Sequence, residues 1–112
     1  MRIKFLTTGG TIDKVYFDAK SEYQVGAPQV TEILKGTNVG FDYEVVSVLQ
    51  KDSLEMTDGD RQQIRQVVEG ESWERIVITH GTDTMVETAK ALMGIAGKTI
   101  VFTGALEPAR SR

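Results

Sequence analysis

Threonine hydroxyls stand beside glycines in two stretches of this chain, Thr7-Thr8-Gly9-Gly10-Thr11 and Thr79-His80-Gly81-Thr82-Asp83, and the pattern returns at Thr103-Gly104. A threonine hydroxyl is a poor nucleophile by itself. To attack a carbonyl it needs a base to take its proton and donors to hold the oxyanion that follows. The backbone N–H groups of Gly9, Gly10 and Thr11, or those opening a helix after Gly81, can be those donors. Asp83 can anchor a ligand's ammonium group or orient a lysine that serves as base.

The same residues also have plainer readings. Asp83 and Thr84 can cap the helix that follows them. His80 can be a satisfied interior hydrogen-bonding residue, Ser53 can start a turn, and Tyr16 and Tyr23 can be partly buried flap residues. Glycine loops after strands also bind nucleotide phosphates. Here, however, the segment from Gly9 to Lys14 has neither P-loop spacing nor a GxGxxG, and the second main strand does not finish with the acid about 20 residues on that a dinucleotide ribose wants, unless Asp52 plays that part from much further away.

Composition narrows the chemistry further. The chain has 112 residues, 40% hydrophobic and 26% charged, which suits one globular domain. Zero cysteines remove thiol nucleophiles, disulfides and thiolate metal sites together, and a single histidine leaves no histidine pair for zinc. No metal or cofactor is implied. A net charge of −3 and a pI near 5.1 argue against nucleic acid as a partner, because phosphate contacts need a basic face. Arg110 and Arg112 form the one dense basic cluster. No apolar run approaches the roughly 20 residues that span a bilayer, and the opening is too short in apolar residues for a signal peptide. No membrane role is needed, and the cytoplasm is the expected location.

The elements that must position these residues follow from periodicity. Arg2 to Thr7 reads as a first strand, and Val15–Phe17 and Tyr23–Val25 flank a polar turn, giving a flap hairpin. Ala27 to Lys35 reads as a short helix with Val30, Ile33 and Leu34 on one face and Gly36 as its stop. Valine-rich Tyr43 to Leu49 is the next strand, ending in Lys51-Asp52-Ser53. Thr57 and Asp60 form a capping box for a helix over Asp58–Glu69 that buries Ile64, Val67 and Val68, with Gly70 at its end. Arg75–Thr79 is a strand covered on both faces. Thr84 and Glu87 predict a second capping box, for a helix lined by Met85, Ala89, Leu92 and Met93 and stopped by Gly94. Lys98–Thr103 is the last strand.

Strands alternating with helices at this spacing make a parallel sheet flanked by helices, an α/β fold of three layers. Ligands then bind outside the carboxyl ends of the strands. That edge is expected to gather Thr8, Gly9, Gly10, Thr11, Ser53, Thr79, Gly81, Thr82, Asp83 and Thr103. The stretch from Leu106 to Arg112 reads as a loop leading onward, and a bare sheet edge beside it calls for a continuation or a partner chain.

Two stretches carry a resemblance. TTGGTIDK (Thr7 to Lys14) and ITHGTDTMVET (Ile78 to Thr88) closely resemble the two signature motifs of the bacterial-type L-asparaginase family, with KDSLEMTD (Lys51 to Asp58) and VFTGALEP (Val101 to Pro108) in the right order. The resemblance implies that residues 1–112 are the family's amino-terminal, Rossmann- or flavodoxin-like domain without its carboxyl-terminal domain, as in a short single-domain branch. It implies a hydrolase that releases ammonia from asparagine or a related side-chain amide, with an amino acid as its small-molecule substrate and a homo-oligomeric assembly. Thr11 then matches the family's nucleophile, Thr82 and Asp83 its second catalytic group, and Tyr23 the flap tyrosine that assists. Ser53 matches the serine that holds the substrate's α-carboxylate and Asp83 meets its α-ammonium, with Gly10 and Gly81 beside them. Two positions depart from the family pattern. Leu54 stands where a glutamine is common, and the family's later catalytic lysine has no counterpart within these 112 residues.

Overall fold

The computed structural model describes residues 1–17, 22–25, 28–37 and 39–105, and for 14–17 and 22–25 the backbone alone. All but Glu22 of the expected Asp18–Glu22 turn, the proposed helix start at Ala27 and the segment 106–112, with Arg110 and Arg112, lie outside the described residues.

Four strands form one sheet in the order β4-β1-β5-β6, every neighbouring pair parallel. These are β1 (Arg2–Gly9), β4 (Asp42–Lys51), β5 (Arg75–Thr79) and β6 (Thr99–Thr103). β2 (Lys14–Phe17) and β3 (Glu22–Val25) pair antiparallel as a separate hairpin, as expected of the flap. The helices are α1 (Val30–Thr37), α2 (Asp58–Gly70) and α3 (Met85–Ala91). The chain steps from β1 to its neighbour β4 on one side, then returns past β1 to β5 on the other. That reversal puts a crevice at the carboxyl ends of β1 and β5.

Side-chain alternation along β1 divides the interior in two. Leu6 packs with Met56, Ile64, Val68, Ile76, Ile78 and Leu92, which places α2 and α3 on its face. Phe5 points the other way, to Val30 and Leu34 of α1 and to Tyr43, Val45 and Val77. Ile64, Val68, Leu6 and Ile78 are fully buried, each contributing on the order of 1.5–3 kcal/mol through removal from water. The amino end of the sheet is polar in a different way: Lys4 is buried between Glu44 (2.5 Å) and Glu71 (3.2 Å), and Arg2 lies over Trp73.

Several boundaries differ from expectation, each for a local reason. α1 runs through Gly36 to Thr37, whose hydroxyl donates to the Leu34 carbonyl, so Gly36 does not stop it. Its buried face is Val30 and Leu34, while Ile33 is 41% exposed. β1 continues past Thr7 to Gly9. Thr84 makes no side-chain cap for α3, because its hydroxyl donates instead to the Ser53 carbonyl (2.8 Å). Met93 lies beyond the helix and is 71% exposed, whereas Thr88 takes the buried position.

The capping box of α2 is present in full. Thr57 Oγ1 accepts from the Asp60 N–H (3.1 Å), and Asp60 Oδ2 accepts from the Thr57 N–H (2.9 Å). Lys51 Nζ donates to the same carboxylate at 2.8 Å and is the main reason its pKa is held below the ordinary aspartate value. The end of β4 is thereby tied to the start of α2, with the Ser53 turn between them. Thr57→Ala removes one of the two capping bonds and is expected to lower unfolding stability by about 1 kcal/mol, read by urea denaturation at unchanged slope.

Candidate functional site

The carboxyl ends of the four parallel strands meet through backbone. Gly9 and Gly10 both have positive φ (97° and 91°), a conformation that glycine adopts without strain. The Gly10 N–H donates to the Lys51 carbonyl (3.0 Å), joining β1 to the end of β4. A Cβ on Gly10 would lie 2.6 Å from the Gly81 nitrogen, and a Cβ on Gly81 would lie 2.5 Å from Ser53 Oγ. A Cβ on Gly104 would meet the His80 carbonyl at 2.5 Å and Thr82 Cγ2 at 3.1 Å. Three glycines thus let four strand ends nest where side chains would hold them apart.

That nesting brings the loops after Gly10 and Gly81 and the Ser53 turn together. Thr11 follows Gly10, is half-buried, and opens a tight 3-10 turn to Asp13, whose N–H donates to the Gly10 carbonyl (3.1 Å). Thr82 and Asp83 follow Gly81 and are exposed. Ser53 is buried directly against Gly81, and its neighbour Leu54 is 72% exposed. Tyr23 lies on β3 opposite Tyr16, and the side chains of both are outside the described residues. Thr8 faces inward instead of joining the rim, its hydroxyl donating to the Thr79 carbonyl at 2.8 Å.

His80 is an interior residue. It is fully buried, with Nδ1 2.7 Å from the Gly81 carbonyl oxygen and Nε2 2.7 Å from Thr88 Oγ1. Burial drives its pKa below the ordinary histidine value. Both ring nitrogens are engaged, so it is not a free base.

Beneath the rim lies a buried polar layer. In the sheet register the buried Thr7 stands between exposed Ser47 and buried Thr79, and Thr79 beside exposed Thr103, a row of hydroxyls across all four strands that is buried only at its centre, on the face that carries Phe5. The hydroxyls of Thr7, Thr79 and Ser53 and one carboxylate oxygen of Asp13 are buried without a hydrogen-bond partner. An unpaired buried polar atom is costly. Among the described residues, no three His, Asp or Glu side chains cluster as metal ligands.

Asp13 is the residue that sequence reading passed over. It is 1% exposed, with Oδ1 accepting from the Gln29 N–H at 2.8 Å and so fastening the Thr11 turn to the approach to α1. Its place two residues after Thr11 and next to Ile12 was the available signal. Burial pushes its pKa up to about 6, against a smaller lowering from the Gln29 bond. The folded state therefore favours the protonated acid. Stability from this group is full below the unfolded pKa and is lost as pH rises through about 6. Asp13→Asn keeps the Oδ1 acceptor and removes the titration. It is expected to abolish the fall in stability between roughly pH 4 and 6, seen in urea unfolding across that range.

Comparison with known proteins places this geometry. The model of the asparaginase amino-terminal domain matches residues 2–112. A glutamyl-tRNA(Gln) amidotransferase subunit from Thermoplasma acidophilum is 33% identical over 112 aligned residues, covering 93% of this chain and 27% of that protein. The thermostable L-asparaginase from Thermococcus kodakarensis superposes with a TM-score of 0.81 at 28% identity, covering 97% of this chain and 35% of that one. A structure from Campylobacter jejuni described as a "probable cytoplasmic L-asparaginase" gives 0.80 at 31% identity, covering 96% and 36%. The chain thus spans about a third or less of the length of these relatives. Its parallel sheet, flanking helices and two glycine–threonine motifs belong together: the chain is a member of the asparaginase family and corresponds to that family's amino-terminal domain.

Proposed function

We propose that this domain is an asparaginase-like amidohydrolase acting on the side-chain amide of a small amino acid. The observation that carries the reading is the contact of Gly10 with Gly81, and of Gly81 with Ser53, which brings the residues after each glycine to one rim. Thr11 Oγ attacks the amide carbon, and the C–N bond breaks as ammonia takes up the proton released by the hydroxyl. The resulting ester on Thr11 is then cleaved by water, returning the free hydroxyl and the carboxylic acid. Thr82 and Asp83 set the proton relay, and Asp83 meets the substrate's ammonium group. The Ser53 hydroxyl receives the α-carboxylate, and Tyr23 assists from the flap. Gly10 and Gly81 serve the substrate site by letting the loops that carry Thr11, Thr82 and Ser53 pack against one another.

The relative from Thermoplasma acidophilum favours a second reading, in which the same chemistry supplies ammonia within an amidotransferase. A third reading is a non-catalytic amino-acid-binding module, since these 112 residues taken by themselves hold no counterpart of the family's lysine. A homo-oligomer and a cytoplasmic location belong to the leading proposal. Among the described residues β4 and β6 each pair on one side only, which supports the first, and the description of the relative from Campylobacter jejuni supports the second. Among the described residues, no helix is long and apolar enough to cross a membrane.

Ammonia release from asparagine and glutamine, measured beside calorimetry with aspartate, separates the readings. Thr11→Ala is expected to cut turnover by about 10³-fold or more while folding and aspartate binding persist. Undiminished turnover would reject Thr11 as nucleophile. Binding without turnover selects the module, and turnover that appears only with an added partner selects the amidotransferase.

A further inference from the structure

A one-way chain of hydrogen bonds runs from α2 through α3 to the rim. Its direction follows from which atoms carry hydrogen. The Gly81 carbonyl can only accept, so His80 Nδ1 at 2.7 Å carries the ring proton. Burial keeps the ring neutral, which leaves Nε2 bare and able only to accept. Thr88 Oγ1, 2.7 Å from Nε2, must then donate to it. The Thr88 oxygen in turn accepts from Arg61 Nε at 3.2 Å, and Arg61 Nη1 donates to Asp58 Oδ1 at 3.2 Å. Thr88 and His80 are fully buried and Arg61 nearly so. Met56 Sδ, 3.2 Å from Nε2, would suit the opposite tautomer, but that form would set the lone pair of Nδ1 against the carbonyl oxygen of Gly81.

The relay matters because of what lies across the peptide bond. The described chain has no cis peptide, so the C=O of Gly81 and the N–H of Thr82 point in opposite directions. With the carbonyl held inward by His80, the Thr82 N–H faces outward at a residue that is exposed on the rim. We propose that Thr88 is a positioning residue: backed by Arg61, it fixes the His80 tautomer, which pins the Gly81 carbonyl and presents the Thr82 amide to a carbonyl or carboxylate oxygen of the ligand. The ligand half rests on the amidohydrolase reading above. The tautomer half does not.

His80 is the one histidine of the chain, so its imidazole nitrogens are read without ambiguity by long-range proton–nitrogen NMR. The wild-type chain is expected to show a protonated Nδ1 and a bare Nε2, and a protonated Nε2 would overturn the relay. Thr88→Val keeps the shape and removes the hydroxyl. It is expected to shift the tautomer mixture, move the Thr82 amide resonance and weaken aspartate binding about tenfold, the size of one lost hydrogen bond. Thr88→Ser is expected to restore all three. Val68→Ala, a comparable core loss away from the relay, is expected to leave the tautomer and aspartate affinity unchanged. Wild-type affinity and tautomer in a folded Thr88→Val would refute the role. Should that variant fail to fold, the wild-type and Thr88→Ser spectra still decide the proton's position. Aspartate failing to bind the wild-type chain would count against the amidohydrolase reading, while the tautomer measurement continues to test the relay.

Discussion

Close backbone contact at the carboxyl edge of the sheet is the constraint on which the rest of this molecule depends. Gly10 rests on the peptide of Gly81, and Gly81 rests on the side chain of Ser53, at separations where a methyl group would collide. Three loops from β1, β5 and β4 thereby share one place. Without that contact Thr11, Ser53 and Thr82 would have motifs in common but no site. The sheet order makes the contact possible, since β1 lies between β4 and β5 and can touch both ends.

The remaining structure holds those ends still. Leu6 and Phe5, adjacent in sequence, anchor β1 in two separate cores, so the strand can neither slide nor rotate without exposing one of them. Lys51 and the Thr57–Asp60 box fix the turn that carries Ser53. Thr84, freed from capping, fastens the start of α3 to the Ser53 carbonyl. His80, Thr88 and Arg61 brace the Gly81 peptide from beneath. The rim itself is left with buried hydroxyls and a raised-pKa carboxyl at Asp13, a polar interior that packing alone does not call for.

The helices and strands were legible because their signals are local. Val-rich and Ile-rich runs fall in β4 and β5, and Thr57 with Asp60 marks the start of α2 as expected. The glycine–threonine repeats pointed correctly to one sheet edge. What sequence could not supply was the competition for each hydroxyl. Thr84 has the spacing of a capping residue, yet its hydroxyl donates to a carbonyl thirty-one residues earlier. Gly36 looks like a stop, but Thr37 extends the last turn by bonding to Leu34. Thr88 and Asp13 escaped notice because burial, which makes each of them consequential, depends on contacts between distant segments.

The nesting of the strand ends is tested most directly by a comparison of two glycines under urea denaturation. Gly81 has no room for a methyl group, and Gly36 has nothing within 4 Å of where one would go. Gly81→Ala is expected to lose about 1–3 kcal/mol of stability through overpacking against Ser53, while Gly36→Ala, in a helix, gains about 0.5–1 kcal/mol. A Gly81→Ala chain as stable as the wild type would contradict the account, because the strand ends would then not meet as closely as the proposed site requires.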